Sequence, residues 1–139
     1  MAHGAHVLVI DDDRPSLCLS ERTLLHHGYR VSSRDWPELN PAQVAALAVD
    51  VLVLDLRFGS RPLGLDYLAE LKAAPETARL PIVICSADVF AVREFDRRLA
   101  EFACQVVLKP YRPGDLARAV ACGLTRNDER PTAPRSYAA

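Results

Sequence analysis

The sequence predicts an α/β fold in which five short strands alternate with five helices around a doubly wound parallel sheet. Two observations lead to this prediction. Short runs such as residues 51–54 are continuously apolar, as in parallel strands buried on both faces. The segments between the runs repeat apolar residues at helical spacing. We therefore expect right-handed crossovers and a ligand site beyond the carboxyl ends of the strands.

The first half of the chain contains two predicted strands and two predicted helices. Residues 7–10 form a β-rich apolar run, and residues 15–27 have one apolar helical face that ends before Gly28, where a helix C-cap belongs. Residues 29–33 are more polar, as expected of an edge strand. A proline then opens a short apolar helix over residues 41–48.

The second half repeats the alternation. Residues 51–54 are the second buried run, and a loop rich in Gly, Arg and Pro leads to a helix over residues 65–73. Residues 81–85 and 106–108 are further strands, and residues 115–122 form the last helix. The fourth predicted helix is long and amphipathic, with apolar residues at Val92, Phe95, Leu99 and Phe102.

Composition favours a single cytoplasmic domain. The net charge is −1, which does not indicate a nucleic-acid or membrane surface, and no apolar run is long enough to span a bilayer. The four cysteines are widely spaced, and three of them lie among apolar residues at predicted core positions, so we expect reduced, buried thiols and no zinc site. We predict one domain over residues 1–124 and a polar, Pro-rich tail or linker over residues 125–139.

Polar residues follow four of the predicted strands. They are Asp11 and Asp12, then Asp55, Ser86 and Lys109. Clustered carboxylates repel one another unless a cation lies among them, and Mg²⁺ prefers such oxygen ligands. A lysine opposite would neutralise phosphoryl charge, and this chain has fifteen arginines but only two lysines. The sequence therefore indicates phosphate chemistry with Asp55 as a nucleophile.

These segments resemble the response-regulator receiver family of two-component signalling. The resemblance covers about residues 6–124 and lies in the segments ending Val-Ile-Asp11-Asp12, Val-Leu-Asp55-Leu-Arg, Ile-Cys-Ser86-Ala and Val-Leu-Lys109-Pro. It implies a flavodoxin-like sheet with strand order 2-1-3-4-5. It also implies that a sensor histidine kinase or phosphotransfer protein phosphorylates Asp55, and that the chain acts as a switch, not as an enzyme with a separate substrate.

The resemblance implies a Mg²⁺ or Mn²⁺ site. Asp12 and Asp55 would bind the ion directly, Asp11 would hold metal-bound water, and the backbone carbonyl of Arg57 would be a further ligand.

It also implies contacts to the phosphoryl group after transfer. Ser86 would donate a hydrogen bond to that group, Lys109 would pair with one of its oxygens, and the Lys109–Pro110 bond would be cis.

Some positions depart from the family pattern. Val106 replaces the usual Tyr or Phe three residues before the lysine, and Phe102 stands where a glycine commonly ends the fourth helix. The loop over residues 56–64 has one extra residue, with Gly59 in place of proline. The resemblance implies output through protein contacts, including a homodimer through the fourth predicted helix, the fifth strand and the last helix.

Two alternatives stay open. Asp11-Asp12-Asp13 after a strand also fits a haloacid-dehalogenase-type phosphohydrolase, although that fold needs a later acidic pair behind a strand. The departures at Val106 and in the loop leave room for a pseudo-receiver that binds partners without phosphorylation.

Arg57 and Asp88 occupy the positions two residues after Asp55 and Ser86. In the receiver fold these positions flank the mouth of the site. We expect their opposite charges to pair there, to obstruct attacking water and to prolong the phosphorylated state.

Overall fold

The computed structural model describes residues 4–126 and 137–138, and those residues contain six strands. The strands are β1 (His6–Ile10), β2 (Arg30–Arg34), β3 (Val51–Leu54), β4 (Ile82–Ser86), β5 (Gln105–Leu108) and β6 (Tyr137–Ala138). All pair in parallel in the order β2-β1-β3-β4-β5-β6. The predicted fold class and the order 2-1-3-4-5 are confirmed, and the two-residue β6 extends the sheet beside β5.

The helices follow the predicted alternation with one difference. They are α1 (Arg14–His26), α2 (Pro41–Ala46), α3 (Leu63–Ala73), α4 (Val89–Glu94), α5 (Asp96–Glu101) and α6 (Pro113–Arg126). The predicted count of five was wrong because the long fourth helix divides at Phe95, whose φ of −98° and ψ of 15° leave the helical region. The Leu99 amide still donates a hydrogen bond to the Phe95 carbonyl, and the apolar residues keep their helical spacing across the break. The sequence pattern therefore does not reveal the break.

Two apolar layers cover the two faces of the sheet. Side chains alternate along each strand, so Leu8 joins the layer beneath α2 to α5, whereas Val9 joins the layer beneath α1 and α6. Every residue of β3 is buried, as its continuous apolar run predicts. Each fully buried leucine or valine contributes roughly 1.5–3 kcal/mol, so these layers fix the sheet and thereby its carboxyl edge.

Local signals set the ends of the first two helices. The side chain of Asp13 accepts a hydrogen bond from the Ser16 amide at 3.1 Å and so caps α1. Asn40 and Gln43 form a reciprocal capping box at the start of α2. Gly28 follows α1 with a φ of +90°, as a glycine beyond a helix C-cap does.

The predictions made from composition concern the cysteines, membrane spans and the C-terminal tail. Of the four cysteines, all of which lie within the described residues, Cys85 and Cys104 are buried, Cys122 is half-buried and Cys18 is exposed; all four are free thiols, as expected. Among the described residues, no helix has the length and apolarity to cross a membrane. Residues 127–136 and 139 of the predicted tail lie outside the described residues, while Thr125 and Arg126 belong to α6.

Gly64 allows α3 to begin directly against the end of β3. Its amide donates to the Leu56 carbonyl at 2.9 Å. A Cβ at this position would lie 2.0 Å from the carbonyl oxygen of Asp55 and 2.7 Å from the Cα of Leu56. Both are backbone atoms, so no side-chain rotation would relieve the clash.

We expect Gly64→Ala to destabilise the protein by on the order of 2–3 kcal/mol, because overpacking against fixed backbone outweighs the better helix propensity of alanine. Urea unfolding measures the change. The control is Gly114→Ala in α6, where the nearest atom to a new Cβ is on the Arg118 side chain at 3.7 Å. Equal stability of the two variants would contradict the steric argument.

Candidate functional site at the carboxyl edge of the sheet

The sheet register brings the predicted site residues to one edge. Ile10 aligns with Leu54, so the residues that follow them, Asp11 and Asp55, leave adjacent strands together. Ser86 ends β4, and its carbonyl accepts a hydrogen bond from the amide of Lys109 at 2.9 Å. The side chains of Asp11, Asp55, Ser86 and Lys109 therefore lie together at the carboxyl ends of β1, β3, β4 and β5.

Lys109 bridges two carboxylates in this space. Its Nζ lies 2.8 Å from Oδ2 of Asp11 and 3.3 Å from Oδ2 of Asp55. The exposed fractions of the three side chains are 14% for Lys109, 5% for Asp11 and 12% for Asp55. Water therefore screens these three charges only weakly, and each charged group needs an opposite charge or a hydrogen bond to offset the cost of its burial.

Asp11 has two further hydrogen bonds that hold its orientation. Its Oδ1 accepts from the Asp13 amide at 2.9 Å, and its Oδ2 accepts from the Ser16 hydroxyl at 2.7 Å. Sequence reasoning did not identify Ser16 as a site residue. Its position three residues after the Asp13 cap was a signal for helix capping, but not for a contact with Asp11.

Burial and charge shift the pKa values of these groups. Burial raises the pKa of Asp55 above its usual value; the Lys109 charge opposes this shift and the Asp11 charge reinforces it. Burial alone would lower the pKa of Lys109, but the carboxylates of Asp55 and Asp11 outweigh it and raise that pKa. Burial raises the pKa of the neighbouring Cys85 thiol to about 12, so it stays protonated and is a poor nucleophile at neutral pH.

A third carboxylate completes an oxygen-rich cluster. Asp11, Asp12 and Asp55 each offer an oxygen, and these oxygens lie within 4.8 Å of one another. Asp12 is exposed, and its Oδ2 accepts a hydrogen bond from the Gly59 amide at 2.8 Å. Hard carboxylate ligands at this spacing fit Mg²⁺ or Mn²⁺. The Arg57 amide is 3.4 Å from Oδ1 of Asp55, so its backbone lies beside the cluster; the ligand role of its carbonyl stays a prediction.

Arg57 and Asp88 pair beside Asp55, as the sequence predicts. The Arg57 guanidinium donates from Nε to Oδ2 of Asp88 and donates at 2.9 Å to the Ser60 carbonyl. The Asp88 amide donates to the Ser86 hydroxyl oxygen at 3.0 Å. Hydrogen bonds from the Ala91 amide and from Arg57 lower the pKa of Asp88, so the pair is ionised at neutral pH. The pair thus joins the loop after β3 to the start of α4.

The departures from the family pattern lie around this site. Val106 is buried in the apolar layer beneath α2 to α5. Phe102 is the C-cap residue that follows α5, and the next residue, Ala103, adopts the left-handed conformation with a φ of +57°. The Lys109–Pro110 bond is cis, as predicted.

Comparisons with known proteins agree with this geometry. The model of the response regulator receiver domain matches residues 7–121. The two-component response regulator ORR12 of Oryza sativa subsp. japonica is 30% identical over 119 residues, which are 81% of this chain and 93% of the rice protein. ORR7 of Oryza sativa subsp. indica is 27% identical over 115 residues, which are 81% of this chain but 52% of that protein, so the chain spans about half of this relative.

Solved structures show the same fold. The chemotaxis response regulator CheY4 of Vibrio cholerae has a TM-score of 0.68 at 19% identity, covering 87% of this chain and 99% of that chain. A response regulator receiver protein from Sinorhizobium medicae WSM419 has a TM-score of 0.72 at 22% identity, covering 89% and 97%. At these identities the likeness concerns the fold alone.

We expect Lys109→Met to destabilise the cation-free protein by about 3 kcal/mol, because it leaves two partly buried carboxylates unpaired. Urea unfolding in EDTA measures the loss. Added Mg²⁺ should restore part of the lost stability by replacing the missing positive charge.

The control is Lys72→Met. The Lys72 ammonium donates a hydrogen bond to the Leu80 carbonyl at 2.8 Å, so we expect its removal to cost about 1 kcal/mol of stability that Mg²⁺ does not restore. Equal behaviour of the two variants would show that Lys109 does not balance the cluster.

Proposed function

The chain belongs to the response regulator receiver family, and from this premise we propose that it is a phosphorylation switch whose acceptor is Asp55. The single observation that carries the proposal is the placement of the Asp55 carboxylate 3.3 Å from the Lys109 ammonium, beside the carboxylates of Asp11 and Asp12. A carboxylate that could act as a nucleophile, a fixed ammonium group and a cluster of carboxylates that could hold a metal ion thus meet at one edge of the sheet.

The proposed reaction is phosphoryl transfer from a phosphohistidine. A carboxylate oxygen of Asp55 attacks phosphorus, the new O–P bond forms, and the N–P bond breaks. The electron pair of the broken bond stays on the histidine nitrogen of the donor. Hydrolysis of the acyl phosphate, in which water takes the phosphoryl group, returns Asp55 to its carboxylate form and resets the switch.

Lys109 and Ser86 would stabilise the phosphorylated state. The Lys109 ammonium already contacts Asp55 and would pair with a phosphoryl oxygen once the carboxylate charge is lost. The Ser86 hydroxyl oxygen accepts a hydrogen bond from the Asp88 amide, so its own proton is left to donate to the phosphoryl group.

The metal site would be formed by the same cluster. Asp12 and Asp55 would bind Mg²⁺ or Mn²⁺ directly, Asp11 would hold a water ligand, and the carbonyl of Arg57 would complete the protein ligands. When bound, the ion would neutralise phosphoryl charge. The chain's own contribution is to hold the acceptor in place and to fix Lys109 opposite it.

The partners follow from the proposed reaction. The donor would be a sensor histidine kinase or a phosphotransfer protein, and the chain would act in the cytoplasm through protein contacts, as a switch instead of an enzyme with its own substrate. With α4 and α5 replacing the predicted fourth helix, the face for a homodimer is the one formed by these two helices, β5 and α6.

The alternatives are less well supported. A haloacid-dehalogenase-type phosphohydrolase needs an acidic pair behind a later strand, whereas Asp115 lies in α6 and accepts hydrogen bonds from the Arg112 amide and the Arg118 guanidinium. A pseudo-receiver would not need Asp55, Lys109 and the carboxylate cluster together at one edge.

We expect Asp55→Asn to abolish labelling by acetyl phosphate while leaving the fold intact, because the amide is not a nucleophile. Intact-mass spectrometry and circular dichroism measure the two properties, and wild-type labelling should require Mg²⁺ and disappear in EDTA. The control is Asp13→Asn, which keeps the cap of α1 and lies outside the cluster.

Peptide mass spectrometry of the labelled wild type locates the phosphoryl group. A label on Asp11 would favour the phosphohydrolase. Stoichiometric labelling of folded Asp55→Asn would refute the acceptor assignment, and a folded wild type without any label would favour the pseudo-receiver.

We expect Arg57→Ala and Asp88→Ala each to shorten the lifetime of phospho-Asp55, because the paired side chains obstruct the path of attacking water. The exposed pair itself is worth only about 0–1 kcal/mol, so the effect is steric. Phosphate release from the wild type, both variants and the double variant measures the decay. A double variant no faster than either single variant shows that the residues act as a unit; four equal rates would rule out the gate.

A further inference from the structure

The loop after β3 folds into a short hairpin beside the carboxylate cluster, here called the 58–61 turn. The Phe58 amide donates to the Arg61 carbonyl at 2.9 Å, and the Arg61 amide donates to the Phe58 carbonyl at 3.3 Å. Gly59 has a φ of +65°, which L-residues with a branched Cβ rarely adopt. The extra residue of this loop thus forms an ordered turn.

Two side chains anchor the 58–61 turn on opposite sides. Phe58 is 1% exposed, and its ring meets that of Trp36, with centroids 5.5 Å apart in an edge-to-face arrangement. On the other side, the guanidinium of Arg57 contacts both Asp88 and the Ser60 carbonyl. The turn therefore has a fixed position between the loop after β2 and the start of α4.

The turn holds one carboxylate of the proposed metal site. The Gly59 amide donates to Oδ2 of Asp12 at 2.8 Å. Asp12 is exposed, and within residues 4–126 no other hydrogen bond holds its carboxylate. Among the described residues, the Lys109 ammonium pairs with Asp11 and Asp55 but not with Asp12. The orientation of the third carboxylate thus depends on the backbone amide of a residue 47 positions away.

We propose that Gly59 is a positioning residue for the metal site: its positive φ aims its amide at Asp12 and holds that carboxylate toward Asp11 and Asp55. The proposal rests on the metal site of the proposed function. Partners that orient a metal ligand from outside the coordination sphere commonly change metal affinity by 10–100-fold. By linkage, a bound cation that fixes Asp12 also fixes the 58–61 turn.

Variants of Gly59 with different tolerance of positive φ test the proposal. In the part of the chain that the structure describes, no atom lies within 4 Å of a new Cβ at this position, so a substitution there changes the backbone preference without a clash. We expect Gly59→Val to weaken Mg²⁺ affinity on the order of tenfold, and Gly59→Asn to weaken it less, because asparagine tolerates positive φ. Calorimetry measures the affinity, and the emission of Trp36, the single tryptophan, reports the turn during the titration.

The matched control is Gly4→Val. Gly4 also has a positive φ, +81°, and open space around a new Cβ, but it precedes β1 at the opposite edge of the sheet. Its substitution should leave Mg²⁺ affinity unchanged. A second measurement needs no metal: Asp12→Ala should accelerate hydrogen exchange of the Gly59 amide in EDTA.

The outcomes separate this inference from the proposed function. Equal Mg²⁺ affinity of wild type and Gly59→Val would overturn the positioning role while leaving the metal site intact. An unchanged exchange rate of the Gly59 amide in Asp12→Ala would overturn the contact itself. A wild type that does not bind Mg²⁺ would overturn both the metal site and the positioning role, and the labelling of Asp55 would then decide whether its acceptor role survives.

Discussion

The arrangement of the site depends on the two ion pairs that the ammonium group of Lys109 forms with Asp11 and Asp55. Parallel strands bring Asp11 and Asp55 to neighbouring positions, where two weakly solvated carboxylates repel each other. The Nζ atom of Lys109 lies within 3.3 Å of both carboxylates. Its backbone amide donates a hydrogen bond to the Ser86 carbonyl, so the sheet itself fixes the position of the compensating charge. A lysine on a mobile loop would lose backbone entropy on pairing in addition to side-chain entropy. The end of β5 therefore fixes the positive charge beside which the Asp55 carboxylate lies.

The sequence was sufficient to predict the sheet and the residues at its edge, because apolar runs locate strand ends and strand ends locate Asp11, Asp55, Ser86 and Lys109. It was not sufficient for contacts that depend on how loops fold. The bond from the Gly59 amide to Asp12 joins residues 47 positions apart through a turn that differs from the family pattern. The sequence also did not reveal that the predicted fourth helix divides at Phe95, because hydrogen bonding and the apolar spacing continue across that residue.

The departures from the family pattern leave the charged cluster in place and change its surroundings. Val106 lies within the buried layer on one face of β5, and its side chain offers no polar group. The loop after β3 gains a turn that contacts Asp12, while Arg57 at its base joins the start of α4. In this chain the loop after Asp55 is thus connected to the start of α4 through an ion pair at the surface.

Charge balance relates the site before phosphorylation to the site after it. Three carboxylates against the single ammonium of Lys109 leave an excess of two negative charges, which one divalent cation would neutralise. In the proposed reaction, phosphorylation would replace the single charge of Asp55 with roughly −1.5 to −2 on the phosphoryl group, the charge typical of protein phosphates. In the proposed reaction the added charge would fall where the Ser86 hydroxyl can donate and beside the backbone amide of Arg57, which lies 3.4 Å from Oδ1 of Asp55. Because Arg57 is already paired with Asp88, any attraction toward the phosphoryl group competes with that pair. The Arg57–Asp88 pair, which we propose obstructs water, would therefore also respond to the charge on Asp55.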